Sequence, residues 1–268
     1  MRPGAEDGLF GGAFSADGRR LITGSVGMTA RLWEVSGVEI AVLRGHTARV
    51  MDVMLSASGS RALTSSLDGT ARLWGPKGEP LATFRERNSH IVAAIAPNGE
   101  RIVTACDDSA HLWDSTGQRI VEVSLPGDRI SKVAFSVDGA RVLAVGSNSV
   151  RVWDTLGTPL GTLTPSSGQL VAAELTPGGA VVVTKRDNDV LLWDLAGALL
   201  AVLPHLADVR SVGFAMDASL LLTMASDNTI RTWHLRSEDL LRLSDARAVR
   251  EFTPDERARY SPALSNNP

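Results

Sequence analysis

Two stretches of this chain gather the side chains of nucleophilic hydrolysis: His46, Thr64 and Asp68 in one, His205, Thr223 and Asp227 in the other. An imidazole set between a carboxylate and a hydroxyl can take the hydroxyl's proton and leave an attacking oxygen. In each set the aspartate stands six and the threonine ten residues before a tryptophan, Trp74 or Trp233. That shared spacing argues against catalysis. A catalytic constellation needs groups converging in one pocket, whereas the same residues at matching points of two segments are what a packing device produces. Other signals of chemistry are sparse. Asp107-Asp108 and Asp187-Asn188-Asp189 offer oxygens to calcium, but they fall in turns, where polar residues are required anyway. The chain has no phosphate-binding glycine loop, no Gly-x-Ser-x-Gly elbow and no Cys/His cluster, and Cys106 is its one cysteine. The expectation is therefore no catalytic residue, no metal and no cofactor, with a hydrolase as the alternative.

The elements that hold these residues are set by a repeat. The six tryptophans, Trp33, Trp74, Trp113, Trp153, Trp193 and Trp233, are spaced by 41, 39, 40, 40 and 40 residues. Gly18, Gly59, Gly99, Gly139 and Gly179, with Ala218 in sixth place, each precede their tryptophan by 14 or 15 residues. Four positions before each of these stands Phe14, Leu55, Ile95, Phe135, Leu175 or Phe214. Three ladders with one period mark six copies of a single structural unit.

Within one period the signals are strands and turns. In the fourth repeat, residues 130–136 are mostly apolar and lead into Val137-Asp138-Gly139, a hairpin signal. Strands over 141–145, 150–153 and 160–163 follow, divided by Gly146-Ser147-Asn148-Ser149 and by Gly157-Thr158. Each segment is too short for a helix, and breakers recur every eight to ten residues. Four strands per repeat make a sheet whose apolar faces need neighbours, and stacking the sheets radially supplies them. His90 occupies the first-strand place held elsewhere by Leu9, Val50, Ile130, Leu170 and Val209, so its imidazole is expected to be partly buried. His111 and His234 flank tryptophans on third strands without a metal-ligand spacing.

Trp113-Asp114, Trp153-Asp154 and Trp193-Asp194 carry the dipeptide that names the WD repeats, and Gly45-His46 their other signature. From about residue 8 to 245 the chain resembles that family. The resemblance implies an all-β, six-bladed β-propeller of four-stranded antiparallel blades. Departures are Trp33-Glu34, Trp74-Gly75 and Trp233-His234, and only one repeat has the intact glycine–histidine pair. In this family a blade is often pinned by a hydrogen-bonded tetrad of Asp, His, Ser or Thr, and Trp. Carried over, the tetrads are Asp68, His46, Thr64 and Trp74, and Asp227, His205, Thr223 and Trp233, with Pro204 in the glycine's place. Such groups satisfy one another in series, and a broken link leaves a costly orphan. At the histidine's place the other repeats hold Ala5, Glu86, Pro126 and Ser166.

Residues 1–7 read as an N-terminal extension, 8–245 as the propeller and 246–268 as a tail. A fourth strand of the last blade is expected over 240–243. Thr253-Pro254-Asp255-Glu256 then opens a short helix to about Tyr260, and the last residues are expected to be disordered. The tail resembles the ends of bacterial multidomain WD-repeat signalling proteins. A formal net charge of −3 over 268 residues excludes the basic excess of a nucleic-acid or anionic-membrane binder, and the aromatics are nearly all spent on ladder positions. The lone cysteine and the lack of an apolar leader fit a soluble cytoplasmic protein. The expected function is a monomeric scaffold or sensor module that binds proteins or peptides. The expected surface lies where the connections entering each first strand meet those joining second to third strands. Arg49, Ser89, Arg129, Gln169 and Asp208 stand just before first strands there, and Arg186 stands in the fifth repeat's second-to-third turn.

Overall fold

The computed structural model describes residues 8–88, 90–164, 170, 172–177, 179–186, 188–214 and 220–234. The expected extension over 1–7, the fourth strand over 240–243 and the tail helix lie outside them. Among the described residues every element is a β-strand, and the strands form six antiparallel sheets. Sheet one holds β1 (Leu9–Phe14), β2 (Arg20–Ser25), β3 (Ala30–Glu34) and β4 (Glu39–Leu43). Sheet two holds β5 (Val50–Leu55), β6 (Ala62–Ser66), β7 (Thr70–Trp74) and β8 (Pro80–Arg85). Sheet three holds β9 (Val92–Ile95), β10 (Arg101–Cys106), β11 (Ser109–Asp114) and β12 (Arg119–Ser124). Sheet four holds β13 (Lys132–Phe135), β14 (Arg141–Val145), β15 (Val150–Asp154) and β16 (Pro159–Leu163). Sheet five holds β17 (Ala172–Leu175), β18 (Val181–Arg186), β19 (Asp189–Asp194) and β20 (Leu199–Pro204). Sheet six has three described strands, β21 (Val209–Phe214), β22 (Leu220–Ala225) and β23 (Ile230–His234). In each sheet, spatial order follows chain order, so every connection is a hairpin.

The repeated turn glycines explain the regularity. Gly18, Gly59, Gly99, Gly139 and Gly179 all have φ between +66° and +76°, the left-handed region that closes a tight reversal without a Cβ penalty. Three residues before four of them sits a buried hydroxyl, Ser15, Ser56, Ser136 or Thr176. Its oxygen accepts the N–H of the residue that opens or directly precedes the second strand, from Arg20 (3.0 Å), Arg61 (3.0 Å), Arg141 (2.9 Å) and Val181 (3.2 Å). These hydroxyls form a further ladder.

Two compact units divide the chain, residues 1–146 with 153–158, and residues 147–152 with 159–268. In the first, successive sheets share apolar layers. Ile22, Leu32, Leu43, Val50, Val53 and Trp74 fill the layer between sheets one and two. Leu63, Leu73, Phe84, Ile91 and Ile102, with Trp113 against them, fill the layer between sheets two and three. Leu112, Leu125, Ile130, Val142 and Trp153 lie in the next. In the second unit, Val183, Val190, Leu192, Val209 and Leu221 pack together with Trp233 against them. Trp74, Trp153 and Trp193 are buried, and Trp33, Trp113 and Trp233 are partly buried. Sheets one and two differ at the start of their first strands. Leu9 is 74% exposed there, whereas its counterpart Val50 is 1% exposed.

Sheet three corrects one expectation. His90 is exposed and lies before β9, while the buried place belongs to Ile91. The cause is a missing bulge. In sheet two, Val50 pairs with Ser66 and Asp52 with Ser65, so Met51 is an extra residue in β5. β9 pairs with β10 without interruption, so Ile91 takes Val50's place one residue later than the repeat suggests.

Candidate functional site

The first candidate set lies in sheet two, with His46 on the connection that follows β4. Trp74 Nε1 donates to Thr64 Oγ1 (2.9 Å), whose hydroxyl is then free to donate to His46 Nε2 (2.8 Å). His46 Nδ1 donates to Asp68 Oδ2 (2.9 Å). The imidazole is buried and neutral, because burial, outweighing the pull of Asp68, lowers its pKa. Burial alone would raise Asp68, yet hydrogen bonds from Thr70, the Thr47 N–H and His46 together bring its carboxyl down to about 2. Every polar atom in this row answers another, and Thr64 is itself buried and already engaged by the indole. A hydroxyl so placed is no nucleophile for a substrate from solvent.

The second set differs from its expected form. Trp233 Nε1 donates to Thr223 Oγ1 (3.0 Å), which meets His205 Nε2 (2.7 Å). His205 Nδ1 then reaches the Leu203 carbonyl (3.0 Å) rather than Asp227. Asp227 instead accepts from Thr229, through both its N–H (3.0 Å) and its hydroxyl (2.7 Å), at the turn between β22 and β23. The local turn captures the carboxylate, and the backbone carbonyl serves the imidazole.

Sheet three holds a variant that the family pattern alone conceals. Trp113 Nε1 donates to Thr104 Oγ1 (2.7 Å), and Thr104 donates to the buried carboxylate of Glu86. Glu86 occupies the histidine's place. Its Oε1 also accepts from His111 Nδ1 (2.8 Å), and His111 Nε2 lies 3.5 Å from Glu122. The hydrogen bond to Glu86 raises the pKa of His111. His111 thus closes a charged cluster from the third strand. The signal was visible as a carboxylate where a histidine is expected and a histidine two residues before the tryptophan. In sheets one and five, Trp33 and Trp193 likewise bond Thr23 (2.9 Å) and Thr184 (2.8 Å). Sheet four has Ala144 at the threonine's place, and Trp153 Nε1 is buried without a partner.

The expected surface residues are distributed unevenly. Arg129 and Asp208 are exposed. Their backbone is pinned: the Ile130 N–H donates to the Asp107 carbonyl (2.6 Å), and the Asp208 carbonyl accepts from Ser226 (2.7 Å). Arg49 is less open than its neighbours in the series. Its guanidinium lies 4.5 Å from the centre of the Phe10 ring, and its Nε is buried. Arg186 ends β18, opposite Asp189. Ser89 and Gln169 lie outside the described residues, and His90 is the residue that directly precedes buried Ile91. Among the described residues no three His, Cys, Asp or Glu side chains group as metal ligands.

The model of the family described as WD domain, G-beta repeat matches residues 4–34, 37–75, 78–114 and 120–154, together more than half of the chain. The chain belongs to the WD40 repeat family. No curated protein matches it. A WD40 domain is typically a protein-interaction scaffold. Each matched WD40 segment after the first starts near a fourth strand and ends at the third strand of the next sheet, so one sequence repeat straddles two sheets. The aspartate of the WD dipeptide has a local task here. Asp114 accepts from the N–H groups of Thr116 and Gln118 (2.9 Å each), and Asp154 from those of Leu156 and Thr158 (2.8 Å each), tying the turn into the fourth strand. Gly75 interrupts this in sheet two, and Glu79 supplies the carboxylate, accepting from Lys77 N (2.9 Å) and lying where a Cβ on Gly75 would stand.

Proposed function

We propose that this WD40 domain is a non-catalytic scaffold or sensor module that binds partner proteins or peptides through the residues leading into its first strands. The carrying observation is the contrast between spent and unspent polar groups. His46, Thr64 and Asp68, and Glu86, Thr104 and His111, are consumed by holding tryptophans. Arg129 and Asp208 stand exposed on backbone fixed by hydrogen bonds. Rigidly held side chains at loop positions are what recognition needs, and arginine's planar fork suits carboxylates and recurs at binding hot spots. The resemblance of the tail supports placing the module in a bacterial multidomain signalling protein of the cytoplasm.

The test is affinity capture from the source cell with the parent and with Arg129→Ala, followed by titration of the captured partner. Arg129→Ala is expected to weaken binding by about 1–2 kcal/mol while the melting temperature stays unchanged. Full-strength binding by Arg129→Ala and Asp208→Asn, with loss on substituting Ser58 or Asn98 in the turns between first and second strands, would place the surface elsewhere.

A further inference from the structure

We infer that the second unit carries a receptor for one carboxylate of a bound peptide, an acidic side chain seated between sheets five and six. The inference rests on the reading that the domain binds proteins, and it names what one site would recognise. A cleft of about 200 Å³ opens between the sheets near β17 and β21. Glu174, Val183 and Lys185 line one wall. The register pairs Glu174 with Val183 and Ala172 with Lys185, and paired residues of a pleated sheet point to the same side, so these side chains leave one face of sheet five together. Arg210, Ser211 and Val212 line the other wall. There the pairing of β21 with β22 shifts between Val209 and Ser211, which frees Arg210 from the ladder.

Charge and size select the occupant. Two cations face one carboxylate, and Glu174 is already engaged in an interaction of its own. Neither Lys185 nor Arg210 is ion-paired among the described residues. Taken by themselves, the lining side chains Lys185, Arg210 and Glu174 sum to one positive formal charge, on a chain whose formal net charge is −3. A monoanion balances it, whereas a phosphate dianion would meet Glu174 with a charge to spare. Pockets for free small molecules run to about 300–1,000 Å³, above this volume, and Val183 and Val212 offer an apolar floor to the methylenes of one side chain. Arginine, lysine and a serine hydroxyl supply the donors that a carboxylate accepts.

The probe is the blocked tripeptide acetyl-Leu-Glu-Leu-amide, titrated into the isotopically labelled full chain and followed by the amide resonances of Ser211 and Val212. Saturating shifts are expected at millimolar peptide. The glutamine twin is expected to bind at least about tenfold more weakly, and so is the glutamate peptide to Lys185→Met/Arg210→Met. Arg210→Lys, which keeps the charge, should restore part of the response; the single variant Arg210→Gln serves if the double variant does not fold. Equal binding of both peptides, undiminished binding to the methionine variant, tighter binding of a phosphoserine peptide, or no shift up to about 10 mM would each overturn the inference. The broader reading is separable. If the peptide fails while the captured partner still depends on Arg129, only this site falls; if capture fails as well, both do.

Discussion

Sheets two and three solve one problem with opposite charge. Each buries a tryptophan N–H that needs an acceptor, and each passes the requirement to a threonine, Thr64 or Thr104. In sheet two the threonine hands on to a neutral imidazole whose far nitrogen meets Asp68, which lies nearer the surface. In sheet three it hands on directly to a buried carboxylate, and His111 must come from the third strand to balance it. Arg72 holds the position in sheet two that His111 holds in sheet three, two residues before the tryptophan. What is maintained across the two sheets is satisfaction of the indole, while the charge state of the last acceptor is free to vary.

The largest expected effect tests the part that the two sheets share. Trp74 is 2% exposed in the layer between sheets one and two, and Trp113 is partly buried against the next layer. Trp74→Ala should cost about 3–5 kcal/mol, enough to unfold an ordinary domain or nearly so, with Trp113→Ala below it. A thermal melt of Trp74→Ala within a degree or two of the parent would contradict the packing described for both.

The next prediction separates the sheets by pH. Glu86 holds the His111 pKa above its ordinary value of 6.5, so the bond's contribution is fully present below that value and is lost as pH rises through the higher folded one. Burial holds His46 below 6.5, so its sheet loses stability in the opposite direction, as pH falls below 6.5. Asp68 adds a further loss only below about 3.8, as its carboxyl titrates toward about 2. Glu86→Gln should therefore be most destabilising near pH 6 and progressively less so toward pH 8.5, by denaturant midpoints against the parent. A penalty that grows with pH would mean that His111 is neutral in the fold. The rewriting Glu86→His with His111→Arg should remove the alkaline loss altogether.

How far the sequence carried these conclusions depends on how local each cause is. Six repeats, five with four described strands and the last with three, were legible because the tryptophans and the turn glycines answer local demands, a packing payload and a left-handed φ, at a fixed period. Both tetrads could be proposed from residue types at fixed spacing, but only in sheet two does the aspartate reach the histidine's Nδ1, because in sheet six the Leu203 carbonyl, which no residue type signals, takes that nitrogen. The Glu86 cluster could not, since the pattern asks for a histidine before the repeat and does not look for one on the third strand. The place of Ile91 was hidden because a bulge, which depends on pairing between strands, shifts the count by one. The uneven exposure of the strand-start residues was hidden for a similar reason: Phe10, thirty-nine residues away, is what covers Arg49.

Sheet four, where the shared device is missing, offers a smaller effect of opposite sign. Trp153 Nε1 is buried and unpartnered because Ala144 supplies no hydroxyl. Ala144→Ser should stabilise by up to about 1 kcal/mol if the serine accepts the indole N–H. The gain is capped because Pro126 at the histidine's place has no side-chain group to receive the new hydroxyl's proton. A lowered unfolding midpoint would show that the apolar layer around Ala144 has no room for the added oxygen.

The smallest effect carries the comparison into sheet six. Its residues spell out the same tetrad as sheet two, yet the two aspartates do different things. Asp68 accepts from His46 (2.9 Å), from the Thr47 N–H (2.9 Å) and from Thr70 (2.5 Å), so its removal leaves several donors without an acceptor. Asp227 accepts from Thr229, a turn neighbour, on a carboxylate open to solvent, where water replaces what is lost. Asp68→Ala should thus cost about 1–3 kcal/mol, the penalty for orphaned polar groups, and Asp227→Ala should leave the unfolding midpoint where it was. The same substitution at the same point of the repeat would then give two outcomes, set by whether the histidine's Nδ1 has a backbone carbonyl within reach. Leu203 provides one to His205. If Asp227→Ala proved as costly as Asp68→Ala, His205 would have to bond the aspartate in solution, and sheets two and six would share one device after all.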